Sequence, residues 1–305
     1  MHSFALDRKG SSTRFDVAGS VQIKPIADRE GNRLVRAWRI FGVTLIISTY
    51  FITAPLGYGF FALWALVPTR DPDRRARRLQ RIMMAAFGSM HTLLRWLQIL
   101  DFDVRRVEGE IPVSACVLVS NHPTLTDISA LIATEGNLVF PVKSALFRSF
   151  WARPLLGQAR YFAGSGPGAL DAGPFIDDAV DRLERGYRVI IFPEGTRSPR
   201  KGLHPFGRSA FEIACRAGVP IIPLVITCTP RWLWQERSFL DPPRALPRLR
   251  IRALPAVWPK DAGSSSRTLR DIVFAQIDSE LDHQQPSQPA EQIGTATPST
   301  DFADP

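Results

Sequence analysis

Histidine and cysteine are scarce in this chain of 305 residues, numbering five and three, and their scarcity removes several function classes at once. Cys116, Cys215 and Cys228 form no Cys-x-x-Cys pair and stand in otherwise apolar stretches. They read as small buried hydrophobes in a reducing compartment. No two histidines or cysteines share a ligand spacing, so neither a metal site nor a cofactor is expected. His91, on an apolar helical stretch, and His204, in a Pro-flanked loop, are expected to be structural. Zinc-finger spacing, an RNP-type aromatic motif and a separate basic arm are also missing. Nucleic acid is therefore set aside as a partner despite a net charge of +9. No internal repeat is present.

Charge of either sign is absent from Ile40 to Pro68, "IFGVTLIISTYFITAPLGYGFFALWALVP", a run of 29 positions. Residues 1–110, which surround it, hold 17 Lys and Arg against 10 Asp and Glu, so most of the net charge lies there. An apolar run inside a basic region suits an anionic membrane surface. As one straight helix the run would measure ~43 Å against a ~30 Å hydrocarbon core. Pro55, Gly57 and Gly59 interrupt it. Arg33, Arg36 and Arg39 precede it and Arg70, Arg74, Arg75, Arg77, Arg78 and Arg81 follow, which places both flanks on the cytoplasmic face of the membrane. A re-entrant hairpin of two short helices is the preferred arrangement, ahead of a single tilted span and of a soluble core helix. Ile82 to Leu100 reads as a helix lying in or on the interface. The organisation expected is thus a basic, mostly flexible segment over 1–39, too polar to be a cleavable signal, and membrane-associated helices over 40–100. A catalytic domain over 101–281 follows, and then a disordered tail over 282–305 without apolar periodicity.

From about Asp101 the pattern alternates. Strands are predicted at 115–120, 138–142, 188–192, 219–226 and 249–254, and helices at 126–133, 144–150, 174–185, 207–217 and 269–281. Such alternation argues an α/β domain with a mostly parallel central sheet flanked by helices, here preceded by the membrane-associated helical segment.

Two loops carry chemistry. In "LVSNHPTLTD", Leu118 to Asp127, a histidine follows an apolar strand and a carboxylate follows five residues later. On one helix, five steps leave His122 and Asp127 roughly 140° apart, so they meet only if His122 lies in a loop and the helix starts near Pro123 or Thr124. Alternatively, Thr124 and Asp127 are an [ST]-x-x-[DE] cap and nothing more. Both readings are open on the decapeptide alone. The second loop, "VIIFPEGTRS" (Val189 to Ser198), offers a carboxylate, a glycine that permits a sharp turn, a hydroxyl, and an arginine able to grip a phosphate with paired donors.

With "NHPTLTD" (Asn121 to Asp127), "FPEGTRS" (Phe192 to Ser198) and "VPIIPLVI" (Val219 to Ile226) in that order, the chain resembles the glycerolipid acyltransferase family that includes 1-acylglycerol-3-phosphate acyltransferases. The resemblance covers roughly Val107 to Val257. It implies an O-acyltransferase that moves an acyl chain from a thioester, on acyl carrier protein or coenzyme A, to a hydroxyl of a lyso-lipid at the cytoplasmic membrane face. In that reading His122 is the general base and Asp127 fixes its tautomer, with no covalent nucleophile. Gly195, Thr196 and Arg197 bind the acceptor's polar head, with Lys143. Glu194 is either a ligand for the acceptor or a brace for the loop. One departure stands out. The family commonly closes the segment after Lys143 with an arginine that holds the acceptor phosphate, and here that stretch reads "YFAGSG". Lys143, Arg160, Arg197 or Arg208 would have to substitute, or the acceptor has another head group and belongs to a specialised lipid or fatty-acid pathway. A non-catalytic lipid-binding membrane protein and a lipid hydrolase are the readings from other classes; the latter lacks a G-x-S-x-G elbow after a strand.

Overall fold

Runs such as Val117–Ser120 and Arg188–Ile191 are mostly apolar and buried at every position, as strands covered by helices on both faces must be. In the computed structural model, which describes residues 33–284 apart from 67, 106, 113, 151, 165–171, 234–241 and 244, they form the centre of a sheet. The expected flexible start before residue 33 and the tail beyond Gln284 lie outside the described residues. Helices α1 (Arg33–Leu66) and α2 (Pro72–Trp96) come first. They are followed by β1 (Val107–Glu108), β2 (Val117–Ser120), α3 (Asp127–Thr134), β3 (Leu138–Val139), β4 (Pro141–Val142), α4 (Ser144–Arg148), α5 (Arg153–Gln158) and β5 (Phe162–Ala163). Then come α6 (Ala172–Glu184), β6 (Arg188–Ile191), α7 (Ser209–Ala217), β7 (Ile221–Thr229), β8 (Arg248–Ala253) and α8 (Ser266–Gln284).

The main sheet has the order β1-β8-β7-β2-β6-β3. Its pairs are parallel except β7 with β8, while β4 and β5 form a small parallel pair of their own. Side chains alternate across it. Val117 and Val119 join Val189, Ile191 and Phe211 in one buried cluster, and Cys116 and Leu118 join Ile190, Ile222 and Leu131 in another on the opposite face. The predicted strand over 138–142 is two strands, β3 and β4, in two different sheets.

Because β2, β6 and β7 run parallel, their carboxyl ends share one edge. The loops that begin at Asn121, Phe192 and Pro230 therefore converge there, where open α/β sheets hold their ligands. Asn121 ties this edge together: its Nδ2 donates to Ile226 O at 2.8 Å, and its Oδ1 accepts from Ile226 N at 2.7 Å.

The first hundred residues differ most from expectation. The apolar run is not a hairpin, since α1 continues unbroken from Arg33 to Leu66 through Pro55, Gly57 and Gly59. A proline within a helix forfeits about 3 kcal/mol, whereas a reversal would leave four N–H and four C=O groups without helical partners in apolar surroundings. Residues 33–39 belong to this helix and not to a flexible segment. Arg39 is buried and donates to Gln98 O, Pro243 O and Ala245 O, while Trp38 Nε1 donates to Leu97 O. Gly42 lets α1 approach Ile99 so closely that a Cβ there would lie 2.1 Å from Ile99 Cδ1. Helix α2 begins ten residues earlier than Ile82, because Asp71 caps it by accepting from Arg74 N and Pro72 occupies its first turn. Its Ala76, Leu79, Gln80, His91 and Leu94 are buried against the domain, which leaves Ile82, Leu93 and Trp96 exposed. Among the described residues, no helix is long and apolar enough to cross a membrane.

Asn121→Ala strands a buried N–H and a buried C=O of Ile226, at about 1–3 kcal/mol each. A fall of about 2–4 kcal/mol in unfolding free energy, read by chemical denaturation, is expected.

Candidate active site

Pro123 holds His122 out of the helix, and α3 starts only at Asp127. The side chains then meet. His122 Nδ1 lies 2.8 Å from Asp127 Oδ2, and Asp127 is fully buried while His122 keeps part of its ring exposed. An ionised carboxylate only accepts, so Nδ1 carries the proton and Nε2 presents its lone pair. Phe192, from the second loop, stacks on the imidazole at 4.4 Å between centroids. The ring is thus fixed by an edge and a face.

The cap and the dyad turn out to be one arrangement. Asp127 Oδ2 also accepts from Thr124 N at 2.8 Å, and Oδ1 accepts from the Thr124 hydroxyl. The Thr124 oxygen in turn accepts from Thr126 N and faces the Thr126 hydroxyl at 3.0 Å. Asp127 therefore organises the backbone at the start of α3 with the same carboxylate that orients His122.

The second loop is bolted to the first. Ser198 N donates to His122 O and His122 N donates to Ser198 Oγ, both at 2.8 Å. Glu194 braces this joint, accepting from Ser198 Oγ on one oxygen and from His204 N on the other. Both its oxygens are engaged within the protein. Gly195 takes φ +67°, which the sharp turn needs, and it and Thr196 are exposed. Arg197 is half-buried, with Nη1 3.4 Å from Leu233 O, a carbonyl that also accepts from Leu125 N. Lys143 is exposed at the head of α4, and among the described residues no hydrogen bond or ion pair brings it to the dyad. Of the other cations proposed as substitutes, Arg160 is bound to Asp73 at 2.8 Å and is taken up there. Arg208 reaches Ser266 at 3.4 Å.

Neither buried thiol offers a nucleophile. Burial pushes Cys116 and Cys228 up to about 12, so both remain protonated at neutral pH. His91 is structural as expected: burial pushes it down to about 4, and its Nε2 meets Ser129 Oγ at 3.1 Å. The bracing roles of Asn121 and Ser198 were not anticipated from the sequence, and Thr124 was read as a cap alone. Thr124→Val is expected to lower unfolding free energy by about 1–3 kcal/mol by leaving Asp127 Oδ1 unpaired, while Thr124→Ser keeps the wild-type value in the same denaturation assay.

The family description "Acyltransferase" matches residues 104–227, which include both loops. The mouse 1-acyl-sn-glycerol-3-phosphate acyltransferase alpha is 27% identical over 216 residues, covering 69% of this chain and 73% of that one. The corresponding Escherichia coli enzyme is 28% identical over 177 residues, covering 56% and 66%. A Brassica napus chloroplastic relative is 34% identical over 118 residues, and the match covers 37% of this chain and a third of that protein's length. In fold, the chain resembles the 1-acyl-sn-glycerophosphate (LPA) acyltransferase PlsC of Thermotoga maritima, with a TM-score of 0.60 at 22% identity over 84% of this chain and 99% of that one. Motif order, matched domain and relatives from bacteria, plants and animals agree in one respect: what this chain is similar to, in sequence and in fold, is the glycerolipid acyltransferases.

Proposed function

We propose that the protein transfers an acyl chain from a phosphopantetheine thioester, on acyl carrier protein or coenzyme A, to a hydroxyl of a lysophospholipid such as 1-acylglycerol-3-phosphate. The observation that carries this reading is the 2.8 Å contact of His122 Nδ1 with buried Asp127, which leaves Nε2 unbonded among the described residues. The acceptor O–H gives its proton to Nε2 as its oxygen attacks the thioester carbonyl. The C–S bond then breaks, and the imidazolium returns the proton to the departing thiolate. Asp127 stabilises the imidazolium between these events. With Cys116 and Cys228 held as thiols, transfer is direct.

The acceptor's head sits against Gly195, Thr196 and Arg197, with Lys143 at the rim. Glu194 holds the loop and does not touch the acceptor. The short stretch Ala163-Gly164 supplies no cation where the family usually has one, and that observation keeps an acceptor without phosphate as the second reading.

The enzyme works at the cytoplasmic face of a membrane, where its lipid substrate and product reside. Exposed apolar side chains support this. Trp38, Phe41, Leu63 and Trp64 lie on α1, Ile82, Leu93 and Trp96 on α2, Phe150 just after α4, and Leu125 within the catalytic loop itself. Arg39 and Trp38 tie the start of α1 to the domain, and α2, which packs on the same domain, begins six residues after its end. Both ends of α1 thus stay on one side, and the helix pair lies on the bilayer without spanning it.

His122→Ala is expected to lower turnover about 100-fold or more with folding intact, and Asp127→Asn to be severe as well. The assay supplies labelled acyl carrier protein or acyl-coenzyme A and a panel of lyso-lipids, with products identified by mass spectrometry. Near wild-type transfer by either variant contradicts the mechanism. In sealed vesicles, cysteines placed at Arg36 and Arg75 are both expected to be labelled from the cytoplasmic side alone; labelling of one of them from outside establishes a span.

A further inference from the structure

The carboxyl edge of the sheet receives a third loop, the turn after β7, which no motif of the family reading uses. Its Arg231 is half-buried and lies against the second loop, donating from Nη1 to Pro199 O at 2.7 Å. Two residues on, Leu233 O accepts from Leu125 N in the catalytic loop and from Arg197 Nη1. Buried Trp232 lies between them and fixes the turn. Arg231 thus stands in a turn that touches both the loop of the dyad and the loop of the head-group residues, just after the strand next to β2.

We propose that Arg231 binds the anionic head of the acyl acceptor, beside Arg197, and replaces the cation missing after Tyr161-Phe162. This rests on the acyltransferase reading above. The other replacements are poorly placed: Arg160 is paired with Asp73, Arg208 turns to Ser266, and Lys143 stands exposed at the head of α4.

The energetics of Arg231 point the same way. A guanidinium has five N–H donors, and among the described residues only Nη1 finds an acceptor. Burial disfavours its charge and Arg200 repels it. Glu194 is the carboxylate that acts on it favourably, but both Glu194 oxygens already accept from Ser198 and His204. A desolvated cation with so few partners is a cost to the empty protein. A phosphate would remove that cost, because its oxygens accept the two parallel N–H bonds that a guanidinium fork offers and match its charge. A structural latch to Pro199 needs only one neutral donor, so glutamine separates the two roles.

The test compares wild type with Arg231→Gln and Arg231→Lys on two acceptors that differ only in the head, 1-acylglycerol-3-phosphate and 1-acylglycerol. Arg231→Gln is expected to raise KM for the phosphate acceptor by about 10- to 100-fold, the size of a lost charge-assisted contact. Donor KM and transfer to 1-acylglycerol should stay within about 3-fold, with Arg231→Lys intermediate on the phosphate acceptor. Equal loss on both acceptors, or full activity of Arg231→Gln on the phosphate acceptor, overturns the proposal. Binding of labelled 1-acylglycerol-3-phosphate in a His122→Ala background reads the same contact without turnover. If binding there is unchanged by Arg231→Gln, the proposal fails whatever the mechanism; if binding weakens while wild type transfers nothing, the anion site stands and the acyltransferase reading fails.

Discussion

The carboxylate of Asp127 is the group on which the rest of the site depends. Removing an anion from water costs several kcal/mol, and a carboxylate with no access to solvent must recover that from its partners. It has three donors, His122 Nδ1–H, the Thr124 N–H and the Thr124 hydroxyl, each a charge-assisted bond of about 1.5–3 kcal/mol. Their sum is of the same order as the desolvation cost. The arrangement is therefore stable only while all three are made. That condition places Pro123 and Thr124 in the loop, starts α3 at residue 127, and turns His122 so that its free nitrogen faces outward.

Rigidity at the sheet edge follows from cross-links between loops. Asn121 takes both polar groups of Ile226, His122 exchanges a backbone and a side-chain bond with Ser198, and Leu125 bonds to Leu233. Each joins a loop after one strand to a loop or strand from another, so the three parallel strands deliver their loops as one block. Leu125 stands exposed within that block, and Phe150, α1 and α2 also carry exposed apolar side chains.

What was legible in the sequence was what depends on nearest neighbours. Alternating apolar strands and helices gave the α/β order with small shifts at the ends of most elements, although the stretch read as one strand over 138–142 is two and the short β1, α5 and β5 carry no such pattern, and the two loops gave the residues around His122. The cap and the dyad seemed exclusive because each was weighed as a use of one carboxylate, which in fact has four lone-pair sites and serves both. Helix α2 was begun too late because its first turns, "PDRRARRLQ", are charged, although Asp71-Pro72 is a start signal. The hairpin was inferred from Pro55, Gly57 and Gly59, yet a break in propensity does not reverse a helix whose ends are tied elsewhere, and the ties of Arg39 to residues 243 and 245 are beyond any local pattern. Arg231 was invisible for the same reason. Nothing around it in "TCTPRWLW" distinguishes it from other surface arginines, and only the parallel pairing of β2 and β7 brings it to the edge.

Whether His122 can act as a base depends on which of its ring nitrogens carries the proton. Labelling the imidazole with nitrogen-15 and reading its two shifts by NMR at the pH of turnover decides this directly. A protonated Nδ1 and an unprotonated Nε2 are predicted, with the Nδ1 proton displaced or lost in Asp127→Asn. An Nε2–H tautomer in the wild-type enzyme, or a spectrum that Asp127→Asn leaves unaltered, would contradict a base oriented by Asp127.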